Sequence, residues 1–363
     1  MSLITAIAER EMLERLTPSL SIENAPGQIA IQQIAIVRAL PGLGDLLCAV
    51  PAFRALRLAF PAARITLIGL PWAAQLVPRF SHLIDDWLEF PGFPGIPEVP
   101  LVPSRVESFF HHAPAFDLAI QLHGSGAVMN SFVQRLNAAQ RAGCFPPDRS
   151  APSSMFLPYP EHEPEIWRML RLIEHLGIPL QGDYLEFPLW QSDWQELAAI
   201  RDRYRLNNYV CLHPGASLPD RRWSVAKFAA VADSLASQGL QIVLTGSAAE
   251  ADLTRAVAQA MHSPAIDLAG QTSLGSLAAL LKRTRLLICN DTGVSHLAAA
   301  LHVNSVVIFS ASDPDRWAPL DRSRHYVVGG TPQTAQNLTV SPSVADVLTH
   351  ADRLLRSKVA YAS

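Results

Sequence analysis

Short apolar runs bounded by Gly, Pro, Asp or Asn alternate along this chain with longer stretches whose apolar positions recur at three- and four-residue spacing. Those are the periods of buried strands and of helices with one buried face. In the first half the pattern predicts strands over 33–38, 64–69, 83–89 and 116–122, and helices over 45–59, 71–79 and 127–138. Residues 3–16 read as an amphipathic helix ahead of the first strand, with mixed charges that favour packing over membrane contact. After a helix over 163–176 and a linker over 178–194, a more regular series follows. Its predicted strands are 209–213, 240–245, 265–268, 285–289 and 304–309, and its helices 224–238, 248–261, 274–283 and 293–301. A last apolar helix over 343–356 is expected to cross back and brace the N-terminal half.

Strand and helix in strict alternation imply a parallel sheet covered on both faces, so the class is α/β and doubly wound. At 363 residues the chain exceeds the size at which one core stops growing. The division expected is 1–190, 191–340 and a returning helix 341–363. The rhythm breaks between 88 and 104, where Pro91, Pro94, Pro97, Pro100 and Pro103 recur every third residue. That spacing favours extended backbone and a long rim loop, with a ligand for a proline-binding domain as the lesser alternative.

Composition narrows the function. Charged residues are 17% and hydrophobic residues 49%, ample for two buried sheets. A net charge of −3 offers no general attraction for nucleic acid. Cys48, Cys144, Cys211 and Cys289 are scattered and form no metal-ligand spacing or disulfide framework. No apolar stretch is long enough to span a bilayer, and the first residues carry charges where a signal peptide would be apolar, so a cytoplasmic protein with at most peripheral membrane contact is expected.

The chemistry gathers where strands empty into helices. Pro41-Gly42-Leu43-Gly44-Asp45 follows IAIVR, and Asp291-Thr292-Gly293-Val294-Ser295-His296 follows LLICN. Such turns leave the first backbone N–H groups of a helix pointing into a crevice, where they can bind an anion. His213-Pro214-Gly215-Ala216-Ser217 and Asp220-Arg221-Arg222-Trp223-Ser224 add a hydroxyl and two guanidinium groups, the equipment of a diphosphate site; Ser224 as a helix cap beside solvated arginines is the plain alternative. Glu250, in Thr245-Gly246-Ser247-Ala248-Ala249-Glu250, suits ribose hydroxyls and equally completes an S-x-x-E capping box. Thr292 and the amides around Gly293 would meet phosphate oxygens, and His296 would donate to the same group or shield it. Asp45 is placed either to cap its helix or to take a proton from an attacking hydroxyl, with Arg38 at the strand end to orient it.

The segments IAIVRALPGLGDLLCAVPAFRALRLAFPAARITLIG, CLHPGASLPDRRWSVAKFAAVADSL, IVLTGSAAE and LLICNDTGVSHLAAAL resemble glycosyltransferase family 9, the ADP-heptose:lipopolysaccharide heptosyltransferase-like enzymes, over about 33–320 and in family order. The resemblance implies a GT-B fold with two Rossmann-like domains facing each other across a cleft, an inverting mechanism, no metal and no cofactor beyond the nucleotide-sugar substrate. It also implies a catalytic aspartate at Asp45, beside Gly44, and a diphosphate-binding cation at Arg221 or Arg222. The ribose-binding glutamate falls on Glu250, and the phosphate-binding segment on Asp291, Thr292, Gly293 and His296. Where members of the family carry a Q-G-x-x-K-S-like stretch, this chain reads Gln121-Leu122-His123-Gly124-Ser125-Gly126, without the lysine.

The reading that follows is transfer of a sugar, heptose by the family's name, from an ADP-linked donor to a hydroxyl of a glycan or lipid-linked, lipopolysaccharide-type acceptor. Ser217, Arg221 and Arg222 would hold the diphosphate and Asp45 would activate the acceptor. The rivals are a nucleotide-sugar epimerase or hydrolase and a non-catalytic nucleotide-binding protein on the same fold. A dinucleotide oxidoreductase is disfavoured because PGLGD lacks the G-x-G-x-x-G spacing.

Overall fold

The computed structural model describes residues 31–330 and 341–356. The expected helix over 3–16 lies outside them, as do residues 331–340. The chain divides into two compact units, one holding the chain up to Pro41 and Ala49–Asp183, the other Gly42–Cys48 and the chain from Tyr184 onward. The linker boundary thus falls ahead of residue 190, and the short segment around Asp45 clusters with the second unit.

In the first unit six parallel strands, β1 (Gln33–Val37), β2 (Arg64–Gly69), β3 (Asp86–Glu89), β4 (Phe116–Gln121), β5 (Ala138–Phe145) and β6 (Phe156–Pro158), lie in the order β3-β2-β1-β4-β5-β6. Ile34 to Val37 of β1 are fully buried, as a central strand covered on both faces must be. Helix α1 (Leu43–Ala59) follows β1, and α2 (Pro103–His112), α3 (Met129–Arg135) and α4 (Glu165–His175) follow in order.

The proline-rich stretch ends sooner than its spacing suggests, because Pro103 begins α2, where a missing N–H is harmless and a fixed φ helps. Phe93, Ile96 and Val99 are buried with Phe90 and Phe132. The stretch is therefore pinned to the core by its apolar residues. The helix expected over 71–79 is two short 3₁₀ turns, Pro71–Gln75 and Val77–Phe80, each with proline in its first positions. β5 begins at Ala138, where the helix pattern had been run on.

The second unit repeats the plan. Strands β7 (Tyr209–His213), β8 (Gln241–Leu244), β9 (Ala265–Asp267), β10 (Leu287–Asn290), β11 (Ser305–Phe309) and β12 (His325–Gly329) are parallel and ordered β12-β11-β10-β7-β8-β9. Counted from its own first strand, this is the order of the first sheet read from the other edge. Its helices are α5 (Gln191–Tyr204), α6 (Val225–Ala236), α7 (Ala251–Ala260), α8 (Leu274–Arg283), α9 (Gly293–Ala300), α10 (Pro314–Trp317) and α11 (Val344–Arg356). The expectation that the last helix braces the N-terminal half is corrected in its described part: Val347, Ala351 and Leu354 of α11 are buried in the second core with Phe228 and Val231 of α6. Burying a Val or Leu in this way stabilises by about 1.5–3 kcal/mol, which holds α11 to its own unit.

Both sheets reverse direction between their first and fourth strands. Open parallel sheets bind ligands at that reversal, outside the carboxyl ends of the strands. The candidate crevices are therefore at β1/β4 and at β7/β10.

Candidate active site

In the second unit the loops leaving β7 and β10 carry most of the residues singled out from sequence, and a residue not singled out joins them. Asn290, the last residue of β10, is fully buried. Its Nδ2 donates to Pro214 O at 2.7 Å and its Oδ1 accepts from Trp223 N at 3.0 Å. One amide thus fixes both ends of the loop that displays Ser217, Arg221 and Arg222. Removing it would leave a buried N–H and a buried C=O unmatched, at about 1–3 kcal/mol for such groups. Asn290→Ala should accordingly lower the thermal midpoint by several degrees; an unchanged midpoint in a calorimetric scan would show that the loop holds itself.

Glu250 fulfils the capping-box alternative: its Oε2 accepts from Ser247 N and from Ser247 Oγ, each at 2.8 Å. It also stands at the crevice. A side chain on Gly215 would displace the Glu250 carboxylate from the place it holds beside the HPG loop. His213 lies beneath, its Nδ1 3.0 Å from Thr245 Oγ1 and its Nε2 4.0 Å from Glu250 Oε2. Burial lowers the His213 pKa against the opposing pull of Glu250, so the ring is neutral.

The two arginines differ. Arg221 is half-buried, with Nη1 3.5 Å from Asp291 Oδ2. Asp291 is itself buried and also accepts from Ser312 Oγ at 2.5 Å. A carboxylate repels phosphate, so Asp291 acts on the crevice through Arg221, which it aims. Arg222 is exposed, and its Nε donates to Ala216 O at 2.9 Å, bracing the loop from outside. Ser217 is exposed on the same loop. Neither Ser224 nor Thr292, the residues preceding α6 and α9, makes a side-chain cap to its helix. The uncapped start of α9 keeps the electropositive end that an anion would meet.

The segment Gly42–Cys48 belongs to the same unit and meets α9 end to end. A Cβ built on Gly293 would lie 3.0 Å from Leu43 Cβ and 3.1 Å from Gly44 N, and one on Gly44 would lie 2.6 Å from His296 Cδ2. These glycines therefore permit two helix starts to approach at backbone distance. Asp45, in the first turn of α1, is part-exposed, and its carboxylate folds back over Gly42, where a side chain would strike it. His296 is buried, its Nδ1 3.6 Å from Cys48 Sγ and its ring edge-on to Trp317 with centroids 6.4 Å apart. Asp45, Gly44, Gly293 and His296 thus form one group.

Arg38 belongs to the first unit. It is buried there, where Nη2 lies 3.3 Å from Glu165 Oε1 and Nη1 donates to Leu122 O. Its charge ties the loops of that unit together, which the sequence reading had not foreseen. Asn290, Ser312 and Trp317 were also missed. The legible signal for Asn290 was a polar residue closing an apolar strand in LLICN; nothing local marks the other two.

Among the described residues no group of three or more His, Cys, Asp or Glu could hold a metal ion, and no helix is long and apolar enough to cross a membrane.

Two doubly wound parallel sheets, each with a reversal of strand order, place the chain in the class of two-unit, Rossmann-like α/β proteins. The family model of glycosyltransferase family 9 (heptosyltransferase) matches residues 112–343, and the chain belongs to that family. The matched range contains the β7 and β10 loops; the turn bearing Asp45 precedes it. Lipopolysaccharide heptosyltransferase 3 of Escherichia coli is 31% identical over 180 residues, 46% of this chain and 53% of that protein, so the chain matches about half the length of this relative. Among solved structures, the family 9 glycosyl transferase of Veillonella parvula superposes with a TM-score of 0.75 at 20% identity, covering 90% of this chain and 98% of that one. The E. coli ADP-heptose lps heptosyltransferase II superposes with a TM-score of 0.65 at 21% identity, again over 90% and 98%. At those identities the likeness is one of fold, and it bears out the α/β, GT-B-type architecture.

Proposed function

We propose that the chain transfers a sugar from an ADP-linked donor to a hydroxyl of a lipopolysaccharide-type glycan, with inversion and without a metal. The relatives named above support heptose as the sugar. The observation that carries the reading is the meeting, within one unit, of the Asp45 turn with the uncapped start of α9 and the Arg221 loop.

In this mechanism the donor's diphosphate lies at the β7/β10 reversal. Arg221, Ser217 and Thr292 with the Gly293 amides bear most of its charge, Arg222 adds a weaker, solvent-screened share from the outside of the loop, and Glu250 takes the ribose hydroxyls. Asp45 removes the proton from the acceptor hydroxyl, whose oxygen then attacks the anomeric carbon on the face opposite the diphosphate. The C–O bond to the diphosphate breaks as the new one forms, which inverts the anomeric centre. Negative charge grows on the leaving nucleotide and is met by the guanidinium group and by helix amides already in place, so little reorganisation is required. His296, packed against the same helix start, donates to the departing phosphate. The acceptor is glycan on a lipid anchor, reached from the cytoplasm by peripheral contact.

The test is a thermal-shift comparison of ADP-, GDP- and UDP-sugars, followed by transfer to a truncated lipopolysaccharide with and without chelator. ADP-sugars should raise the midpoint most, and transfer should survive the chelator with an inverted anomeric proton coupling in the product. Consumption of the donor at equal rate without acceptor would instead favour the hydrolase or epimerase.

A further inference from the structure

The reversal of the first sheet, at β1/β4, holds a histidine that the reaction above does not use. His123 follows β4 in the segment where the chain lacks the family-like lysine. Its Nδ1 accepts from Ala39 N at 3.2 Å, joining the loop after β4 to the loop after β1. Arg38 Nη1 on Leu122 O and Leu122 N on Val37 O at 3.0 Å make the same join on either side. The backbone N–H of Ala39 has no alternative protonation state, so Nδ1 must keep its lone pair and the ring proton must sit on Nε2. Charging the ring would destroy the bond. Burial, and then the nearby Arg38 cation, push its pKa down to about 4. Among the described residues Nε2 has no hydrogen-bond partner, and it is not among the buried unpaired atoms. Gly124, the next residue, has φ +61 and nothing within 4 Å of where a Cβ would stand, so the loop borders open space. Arg38, whose charge reaches His123, is paired with Glu165 at 3.3 Å.

We propose that His123 is an acceptor-recognising residue, a permanently neutral imidazole whose Nε2–H donates to an uncharged oxygen of the acceptor sugar at the β1/β4 reversal. The proposal rests on the transferase reading and adds a residue and a substrate chemistry to it. A fixed neutral donor selects a hydroxyl or ring oxygen and does not depend on pH, whereas a lysine at such a place would select an anion. Through Ala39 the same ring steadies the strand exit that leads, six residues on, to Asp45.

Two substitutions separate recognition from bracing. His123→Asn keeps an oxygen near the Nδ1 position for Ala39 N but lacks the outer donor; His123→Gln reaches the outer position with an amide N–H. Steady-state transfer with His123→Asn should show the acceptor KM raised about tenfold, the order expected for one lost neutral hydrogen bond, with donor KM and melting temperature close to the parent. His123→Gln should recover most of that KM, and the parent's acceptor KM should stay level from pH 8 to pH 5.5. A parent-like acceptor KM in His123→Asn, or no recovery in His123→Gln, overturns the proposal while leaving the transferase reading intact. An acceptor KM that climbs as pH falls through about 6.5 overturns the fixed neutral state. Absence of transfer by the parent protein with any nucleotide sugar overturns both.

Discussion

Asp45→Asn should reduce turnover by about a hundredfold to ten-thousandfold, the span that loss of a general base covers, while leaving ADP affinity within about twofold. The substitution preserves size, and the amide can still fold back over Gly42 as the carboxylate does, so the first turn of α1 should keep its shape. What is lost is the basic carboxylate that, in the proposed mechanism, takes the acceptor's proton. The residues proposed to hold the diphosphate are elsewhere, on the β7 and β10 loops, so binding and chemistry should separate cleanly in calorimetry and steady-state rates. Near-normal turnover in this variant would remove Asp45 from the role of base and leave it as a helix cap.

Arg221→Ala should weaken ADP by about ten- to a hundredfold, and Arg222→Ala by no more than about threefold. The reasoning is electrostatic. Arg221 is half-buried and aimed by the buried Asp291 at 3.5 Å, whereas Arg222 is exposed and spends its Nε on Ala216 O. A charged hydrogen bond in a partly desolvated crevice contributes about 1.5–3 kcal/mol; a solvated guanidinium contributes far less. Removing Arg221 also strands the Asp291 carboxylate beside the leaving group, which adds repulsion. Equal losses for the two variants in titration calorimetry would mean that the ranking drawn from burial is wrong.

The two-unit, parallel organisation was legible because buried parallel strands are nearly uniform apolar runs and their crossover helices keep a helical period. The strands at 64–69 and 209–213 and the helix at 274–283 coincide with those observed. Among the elements missed are three whose local signal is polar, short or buried in linker-like sequence. β5 reads AAQRAGCF, β12 is the edge strand HYVVG, and α5 opens with Gln191-Ser192-Asp193 after Trp190, inside a stretch read as linker. Tertiary contact overrides weak local preference at such places. At the candidate site, motif residues of the second unit could be singled out because glycine, hydroxyl and cation at a strand end are themselves the signal. Their division of labour was not. Sequence proximity made Arg221 and Arg222 equivalent, and only the placement of Asp291, far along the chain, distinguishes them.

The order of apolar and polar residues was enough by itself to determine two doubly wound α/β units, the turns that feed their helices, and the residue types able to hold a diphosphate and accept a proton. These are local properties, set by side-chain period and by which backbone groups a turn leaves unpaired. Only the tertiary structure decided that the Asp45 turn meets the start of α9 through Gly44 and Gly293, that Asn290 holds both ends of the Pro214–Trp223 loop, that α11 packs on its own unit, and that Ala39 locks His123 into one tautomer. Each of these is a contact between segments distant in sequence, selected by close packing and by the need to pair every buried polar group, and neither condition leaves a mark on the residues flanking a single position.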